Sequence, residues 1–335
     1  MNKISTIIPA YNRADLIGDT LNSILAQSVP PHEIIVIDDG STDGTADVVA
    51  SFGDLVRLCQ QKNLGAGAAR NLGFKHSTGD VIHFMDSDDL SSPNTYEVQL
   101  KALNNSSADF VYGPWVKSRI EGMKLECQKV VVQQRAVPSS PEMYKWVLRG
   151  WITVFQPCML TRGLMERVGP YRTDLKPSED TELLFRIAKS GARFVHTPET
   201  LVVYRVHPEG QISAGNSQPQ REDWIRCHQA IQQQITSSEH LDWYTRFCHN
   251  LRKINAVNGG GVDQFEWTKR LNKSIPSYFF GVEKMTRRFK RIAAKLRRNK
   301  FGDNYTTPFQ PAPMTESQIK LINKMGYQIL DTFEK

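Results

Sequence analysis

Four short apolar runs, each ending in a polar cluster, fall within the first ninety residues, and this repetition constrains the fold more than any other feature of the chain. Residues 4–8 form the first run, stopped by Pro9. Residues 15–27 then carry Leu16, Ile17, Leu21, Ile24 and Leu25 at helical spacing, ended by Pro30 and Pro31. Residues 33–37, 55–60 and 81–85 are the next strand-like runs, with helical patterns over 44–52 and 67–76 between them. Near-continuous apolar strands alternating with helices predict a parallel sheet covered on both faces. Ligands of such sheets bind beyond the carboxyl ends of the strands. The polar clusters stand there each time: Tyr11-Asn12-Arg13, then Asp38-Asp39, then residues 63–70, then residues 86–89. This arrangement reads as a nucleotide site.

The rest of the chain is less regular. Residues 110–112 read as a strand and 129–136 as a β-hairpin arm. Residues 142–149 and 163–168 read as short helices, and 179–190 as a clear helix with Leu183, Leu184, Ile187 and Ala188 on its inner face. Strands are expected over 193–196 and 201–206. From about residue 220 the pattern turns to helices rich in Gln, Trp and charge, and residues 301–314, with three prolines, read as a linker. Thr315 and Gln318 have capping-box spacing at the start of a last helix. The predicted organisation is an α/β domain over 1–219 and a helical region over 220–335.

Bulk properties exclude several classes. With 40% hydrophobic and 23% charged residues the chain is globular rather than disordered. No basic-then-apolar leader opens it, and no apolar stretch reaches the roughly 18–20 residues of a membrane span. The expected location is cytoplasmic, or peripheral to the inner face of the cell membrane. The five cysteines are scattered, without C-x-x-C spacing, which argues against a zinc site or a disulfide framework. The net charge of +7 is local: nine Lys and Arg fall in residues 284–300, which contain no acid. There Met285, Phe289, Ile292 and Leu296 form one apolar stripe on a cationic helix. That stripe reads either as an interfacial helix attracted to anionic lipid or as a packed helix with a solvated basic face. No module or aromatic platform supports nucleic-acid binding.

The run Phe84-Met-Asp-Ser-Asp-Asp89 places three carboxylates in four residues at a strand's carboxyl end. Mg²⁺ and Mn²⁺ are held by one or two carboxylates together with substrate phosphates. Taken alone the run also reads as a turn or a helix-capping cluster. It is not an EF-hand, because the loop lacks the glycine at its sixth position. Glu179 and Asp180 fall in the first turn of a predicted helix, where the helix dipole favours carboxylates.

Four segments in order carry a resemblance: Ile7-Ile-Pro-Ala-Tyr-Asn-Arg13, Ile35-Val-Ile-Asp-Asp-Gly-Ser-Thr-Asp43, Asn63-Leu-Gly-Ala-Gly-Ala-Ala-Arg-Asn-Leu-Gly73 and Asp86-Ser-Asp-Asp89. Together they resemble the family-two inverting glycosyltransferases of the GT-A fold, from residue 3 to about 215. The resemblance implies a Rossmann-like mixed, mostly parallel sheet flanked by helices, here followed by a helical C-terminal appendage. It implies a nucleotide-binding half over 1–112 and an acceptor-binding half over 113–219. Pro9, Tyr11 and Arg13 would line the base and ribose pocket. Asp39 would accept a hydrogen bond from the N3–H of uracil or thymine, and Arg70 would orient Asp39. Asp86 would reach the ribose hydroxyls and Asp88 would ligate Mn²⁺ or Mg²⁺. The Glu179-Asp180 pair resembles the family's Glu-Asp motif, which makes Asp180 the catalytic base and Glu179 its support or an acceptor contact. His207, ahead of a Gly/Ser/Asn-rich segment, would complete the metal shell or touch the diphosphate.

The implied reaction moves one sugar from a nucleoside diphosphate sugar, UDP favoured, to a hydroxyl of a saccharide or lipid-linked saccharide, in surface polysaccharide or glycolipid synthesis. The Gln/Arg-x-x-Arg-Trp pattern of the processive synthases is absent from the sequence. Three rival readings stand beside this one, one of them a phosphohydrolase with Asp86 as nucleophile, since D-x-D motifs serve that chemistry too. Gly65-Ala-Gly67-Ala-Ala-Arg70 nearly matches G-x-G-x-x-G, which would suit a nicotinamide-dependent oxidoreductase, but it follows the third strand and has Arg70 for the last glycine. A non-catalytic protein binding sugar nucleotides or carbohydrate would need no base.

Overall fold

The computed structural model describes residues 2–128, 130–133, 136, 142–149, 151, 153–207, 217–236, 239, 241, 245, 246, 249 and 312–333. The first elements follow the predicted order: β1 (Ile4–Ala10), α1 (Ala14–Leu25), β2 (Glu33–Asp38), α2 (Thr45–Ala50), β3 (Arg57–Gln60), α3 (Ala66–His76) and β4 (Val81–Phe84). Then come β5 (Leu90–Ser91), α4 (Thr95–Ser106), β6 (Phe110–Tyr112), β7 (Trp115–Glu121), β8 (Lys124–Gln128), β9 (Val130–Val131) and α5 (Met143–Leu148). After these lie β10 (Cys158–Thr161), α6 (Arg162–Val168), α7 (Glu179–Lys189), β11 (Phe194–His196), β12 (Val202–Arg205) and α8 (Gln218–Gln234). The last described elements are β13 (Ala312–Pro313), α9 (Glu316–Lys324) and β14 (Gln328–Phe333).

A seven-stranded sheet runs in the order β11-β6-β10-β4-β1-β2-β3. All its pairings are parallel except those of β10, which is antiparallel to both neighbours. This is the mixed, mostly parallel sheet of the expected fold class. Both faces are packed. Ile8 and Val36 meet Ile17, Leu21 and Ile24 of α1 on one side. Ile7, Ile82 and Phe84 meet the cluster containing Leu183 and Leu184 of α7 on the other. Each such side chain taken wholly from water contributes about 1.5–3 kcal/mol. In the register, Ala10 lies opposite Asp38 on β2, and Ile7 opposite Phe84 on β4. The carboxyl ends of the three strands therefore form one rim, and the residues that follow them share it.

A second, five-stranded sheet runs β14-β8-β7-β12-β5. Its hairpin, β7–β8, turns at Gly122 with φ +59° and lies before the arm expected over 129–136. In that expected arm, β9 pairs instead with β13, and Val132 bridges to Trp115. The C-terminal segment also differs from a purely helical appendage. α8 is helical and docks on α7, but β14 pairs in parallel with β8, which would otherwise be an open edge. α9, capped by the predicted Thr315–Gln318 box, buries Leu321 and Ile322 against Leu90, Val116, Leu125 and Val203. The basic segment 284–300 and residues 301–311 of the predicted linker lie outside the described residues, and the linker's residues 312 and 313 form β13.

Candidate functional site

The two aspartates that end β2 do different things. Asp38 serves the turn, accepting from the Ser41 N–H at 2.9 Å and from Gln60 Nε2 at 3.1 Å. Asp39 faces the loop after β3. Its Oδ1 accepts from Gln61 Nε2 at 2.6 Å and the Leu64 N–H at 2.8 Å, and its Oδ2 from the Gly65 N–H at 2.8 Å. A carboxylate has about four lone-pair positions, so the described residues leave one on Oδ2. Gly65 caps α3 with φ +95°, a conformation that favours glycine. Two residues on, a Cβ on Gly67 would stand 3.3 Å from the Arg172 carbonyl and 3.5 Å from Glu179 Cγ. The absence of a side chain there lets the segment before α7 close over α3.

The acidic loop spans both sheets, running from β4 into β5. Asp86 Oδ1 accepts from Arg70 Nη2 at 2.7 Å, and Oδ2 from Gln156 Nε2 at 2.5 Å. Gln156 is itself fixed from below. Its carbonyl accepts a hydrogen bond from His83 Nε2 at 2.8 Å, which leaves His83 Nδ1 to accept from the Tyr96 hydroxyl at 2.8 Å. Burial pushes His83 down to about 4, so the ring is neutral in this chain of contacts. Asp88 Oδ2 receives both Arg13 Nε and His207 Nε2 at 3.1 Å. Burial alone would raise the Asp88 carboxyl, but the His207 hydrogen bond and the Arg13 charge outweigh it and hold it below its ordinary value. Asp89 is buried, with Oδ1 on the Arg205 N–H at 2.9 Å and no hydrogen-bond partner for Oδ2 among the described residues. Burial, then the neighbouring Asp88 and Asp86 charges, pushes its proton affinity well up.

Oxygens of Asp86, Asp88 and Asp89 lie within 4.8 Å of one another. With the imidazole of His207 against Asp88, this hard, oxygen-rich set, one of whose buried oxygens has no hydrogen-bond partner, fits Mg²⁺ or Mn²⁺.

Arg70 joins the acidic loop to α7. Its buried guanidinium contacts Asp86, Glu179 Oε1 at 3.0 Å and Asp180 Oδ1 at 3.4 Å, and lies 5.2 Å from the centre of the Tyr171 ring. Glu179 is nearly buried, whereas 27% of the Asp180 side chain is accessible. Burial raises the Asp180 carboxyl to about 7, with Glu179 and Asp86 adding to the rise and Arg70 opposing it. A carboxylate poised near neutrality and open to solvent suits a general base.

The structure thus forms two networks, Arg13–Asp88–His207 and Asp86–Arg70–Glu179–Asp180, brought side by side where the Asp86 and Asp88 carboxylates lie within 4.8 Å of each other, with Pro9 buried in β1 and Tyr11 44% exposed beyond it. Two placements differ from expectation. Arg70 was expected beside Asp39, but its contacts are Asp86, Glu179 and Asp180, while backbone amides orient Asp39. Arg13, expected along the base and ribose pocket, pairs with Asp88. Gln156, Tyr171 and Arg205 went unnoticed in the sequence. Arg205 had a signal, standing two residues before His207; its guanidinium ties the Asp88 carbonyl to Asp19, Leu16 and Thr20 of α1.

Residues 5–162 match the model of the family described as Glycosyl transferase family 2. This region belongs to that family. Its four ordered motifs and the mixed sheet agree with the match, and the fold is GT-A. An uncharacterized glycosyltransferase of Rickettsia typhi is 30% identical over 205 residues, covering 61% of this chain and 64% of the relative. The relatives from Rickettsia felis and Rickettsia conorii, 37% and 38% identical over 126 residues, are matched over only 21% of their length. Among solved structures, Staphylococcus aureus TarS 1–349 in complex with UDP-GlcNAc aligns with a TM-score of 0.58 at 21% identity, over 76% of this chain and 72% of that one. The mannosyltransferase PcManGT from Pyrobaculum calidifontis, in complex with GDP-Man and Mn²⁺, aligns with a TM-score of 0.54 at 19% identity, over 97% and 86% of the two chains. Among the described residues no helix is long and apolar enough to cross a membrane.

Proposed function

We propose that this family-two chain is a metal-dependent inverting glycosyltransferase that moves one sugar from a nucleoside diphosphate sugar to a hydroxyl of a saccharide or lipid-linked saccharide. The observation that carries this reading is Arg70, whose one guanidinium touches both the acidic loop at Asp86 and the candidate base Asp180. Donor and acceptor chemistry are thereby a few ångströms apart, as a direct displacement needs. UDP is favoured because the remaining lone pair of Asp39 suits the N3–H of a uracil ring, a donor that cytosine lacks. The UDP-GlcNAc and Mn²⁺ bound by the fold's relatives support a sugar nucleotide and a divalent cation as partners.

In this reading the donor lies along the rim, its base at Asp39 and its ribose at Asp86, with residues 1–112 as the donor half and 113–219 as the acceptor half. Held by Asp88, with Asp89 and His207 beside it, Mn²⁺ or Mg²⁺ would neutralise charge on the leaving diphosphate. Asp180 takes the proton of the acceptor hydroxyl as that oxygen attacks the anomeric carbon. The new glycosidic bond forms on the face opposite the breaking bond to the diphosphate, so the configuration inverts. Glu179 and Arg70 hold Asp180 in place and set its proton affinity.

Calorimetric titration with UDP, CDP and GDP, each with and without Mn²⁺, tests the donor site. Metal-dependent binding with UDP preferred over CDP is expected. Failure of all three nucleotides to bind would remove the assignment.

A further inference from the structure

The base-bearing helix α7 has no side-chain cap of its own at Ser178. That hydroxyl is turned instead toward α8, onto the carboxylate of Asp223. Asp223 is fully buried and receives four donors. Oδ1 accepts from the Lys176 N–H at 2.6 Å and from Arg226 Nη2 at 3.1 Å. Oδ2 accepts from the Ser178 N–H at 2.9 Å and the Ser178 hydroxyl at 2.5 Å. The Cys227 thiol of the same helix lies 3.6 Å from the Ser178 carbonyl. Two backbone amides and one hydroxyl immediately ahead of Glu179 and Asp180 are therefore read by a single carboxylate from α8.

We infer that Asp223 is a positioning residue for the transfer reaction: it latches the segment 176–178 to α8 and so fixes where Asp180 stands. This rests on the proposed role of Asp180. The residue lies outside the matched region 5–162 and in the stretch assigned from sequence to a separate C-terminal region. Its face of α8 explains why that helix belongs to the site, since Asp223, Cys227, Ala230 and Ile231 are all buried on it. Arg226 and the N–H groups offset the buried charge, as charge-assisted bonds do. Asp223 accepts from two backbone amides, of which that of Ser178 would otherwise be buried without an acceptor.

Asp223→Asn tests the latch, because its amide NH₂ would face an N–H or O–H donor and at least one arm must open. A displacement of about 1 Å at a reacting group costs up to about 100-fold in rate, so kcat should fall about 10- to 100-fold. UDP affinity in the presence of Mn²⁺ should stay unchanged, because Asp39 and Asp88 are not touched. Hydrogen exchange in the peptide spanning 175–180 should speed up, while the rest of α7 stays protected. Ile231→Ala is the control: it removes a buried side chain from the same face, lowers stability, and should keep the wild-type kcat once folded. If Asp223→Asn does not fold, Ser178→Ala carries the test, since it deletes the hydroxyl arm alone and should give a smaller fall in kcat at unchanged UDP affinity. Wild-type kcat and wild-type exchange in the folded latch variant would overturn the inference. A wild-type protein that turns over no UDP-sugar would defeat the transferase reading instead, and the exchange measurement would still decide the latch.

Discussion

The seven-stranded and five-stranded sheets are built from different kinds of sequence, and the acidic loop 86–89 passes from one to the other. In the first sheet β1 is buried at every position and β2 at all but its first. Its strands β1 to β4 come from the first ninety residues, and the loops at their carboxyl ends carry Arg13, Asp39 and Asp86. The second sheet draws on residues 90–91, 115–128, 202–205 and 328–333. In β8 Leu125 and Cys127 are buried, alternating with polar residues. The first sheet ends in the rim that carries Asp39 and Asp86, and the second lies against the same loop, bringing His207 to Asp88 and the Arg205 N–H to Asp89. A site of this kind needs one sheet rigid enough to present carboxylates and another close enough to stop the loop between them from relaxing.

The largest effect that would sharpen this division is at the rim. Asp180→Asn should lower transfer by about 100- to 10,000-fold, the usual weight of a general base, while UDP–Mn²⁺ binding and thermal stability stay near wild type. Near-normal turnover would remove the base assignment. Asp88→Ala should cost UDP at least about 100-fold in its Mn²⁺-dependent affinity, since even groups behind a metal ligand cost 10- to 100-fold; an unchanged calorimetric affinity would sink the metal assignment. Against these stands Ile322→Ala in α9, whose fully buried side chain covers the five-stranded sheet. It should lower stability by about 2–5 kcal/mol, yet leave kcat intact in the folded protein. If kcat fell as steeply as stability, the two sheets would not divide their roles in this way.

The same contrast explains what the sequence disclosed. Strands buried on both faces write themselves as apolar runs, so β1, β2 and β4 and the polar residues after them were legible. The rim positions of Asp39 and Asp88 followed from that, whereas Asp180 was singled out by the resemblance of Glu179-Asp180 to the family's Glu-Asp motif. The strand β14 was not legible, because its partner β8 lies some two hundred residues earlier and only the folded chain brings them together. Arg70 shows a subtler limit. Its place on α3 was evident, but whether a long guanidinium reaches Asp39 or Asp86 depends on the approach of the segment 171–180, which Gly67 permits. Asp223 carried no local signal at all: an aspartate on a polar helix becomes a latch only through the two amides facing it.

The mildest test concerns pH and asks whether the rim sets the proton affinity of its own base. In the unfolded chain Asp180 titrates near 3.8; burial in the folded protein carries it to about 7. The reactive form is the carboxylate, so kcat/KM for the donor, which reports groups on the free protein, should rise with pH and level off above about 7. Below that value it should fall about tenfold per pH unit, as for a single essential base. Stability runs the other way. Between the two values the folded chain holds a proton that the unfolded chain has released, so Asp180's contribution is fully present below 3.8 and is lost as pH rises through about 7. Asp180→Asn should abolish this component of the stability profile. Arg70→Met should move the acidic limb of activity upward, because the guanidinium is the main group that opposes the rise, ahead of the Tyr171 hydroxyl. A limb that stayed near 4 in the wild type would mean that the pocket around Asp180 is wetter than its packing against Arg70, Glu179 and Tyr171 implies.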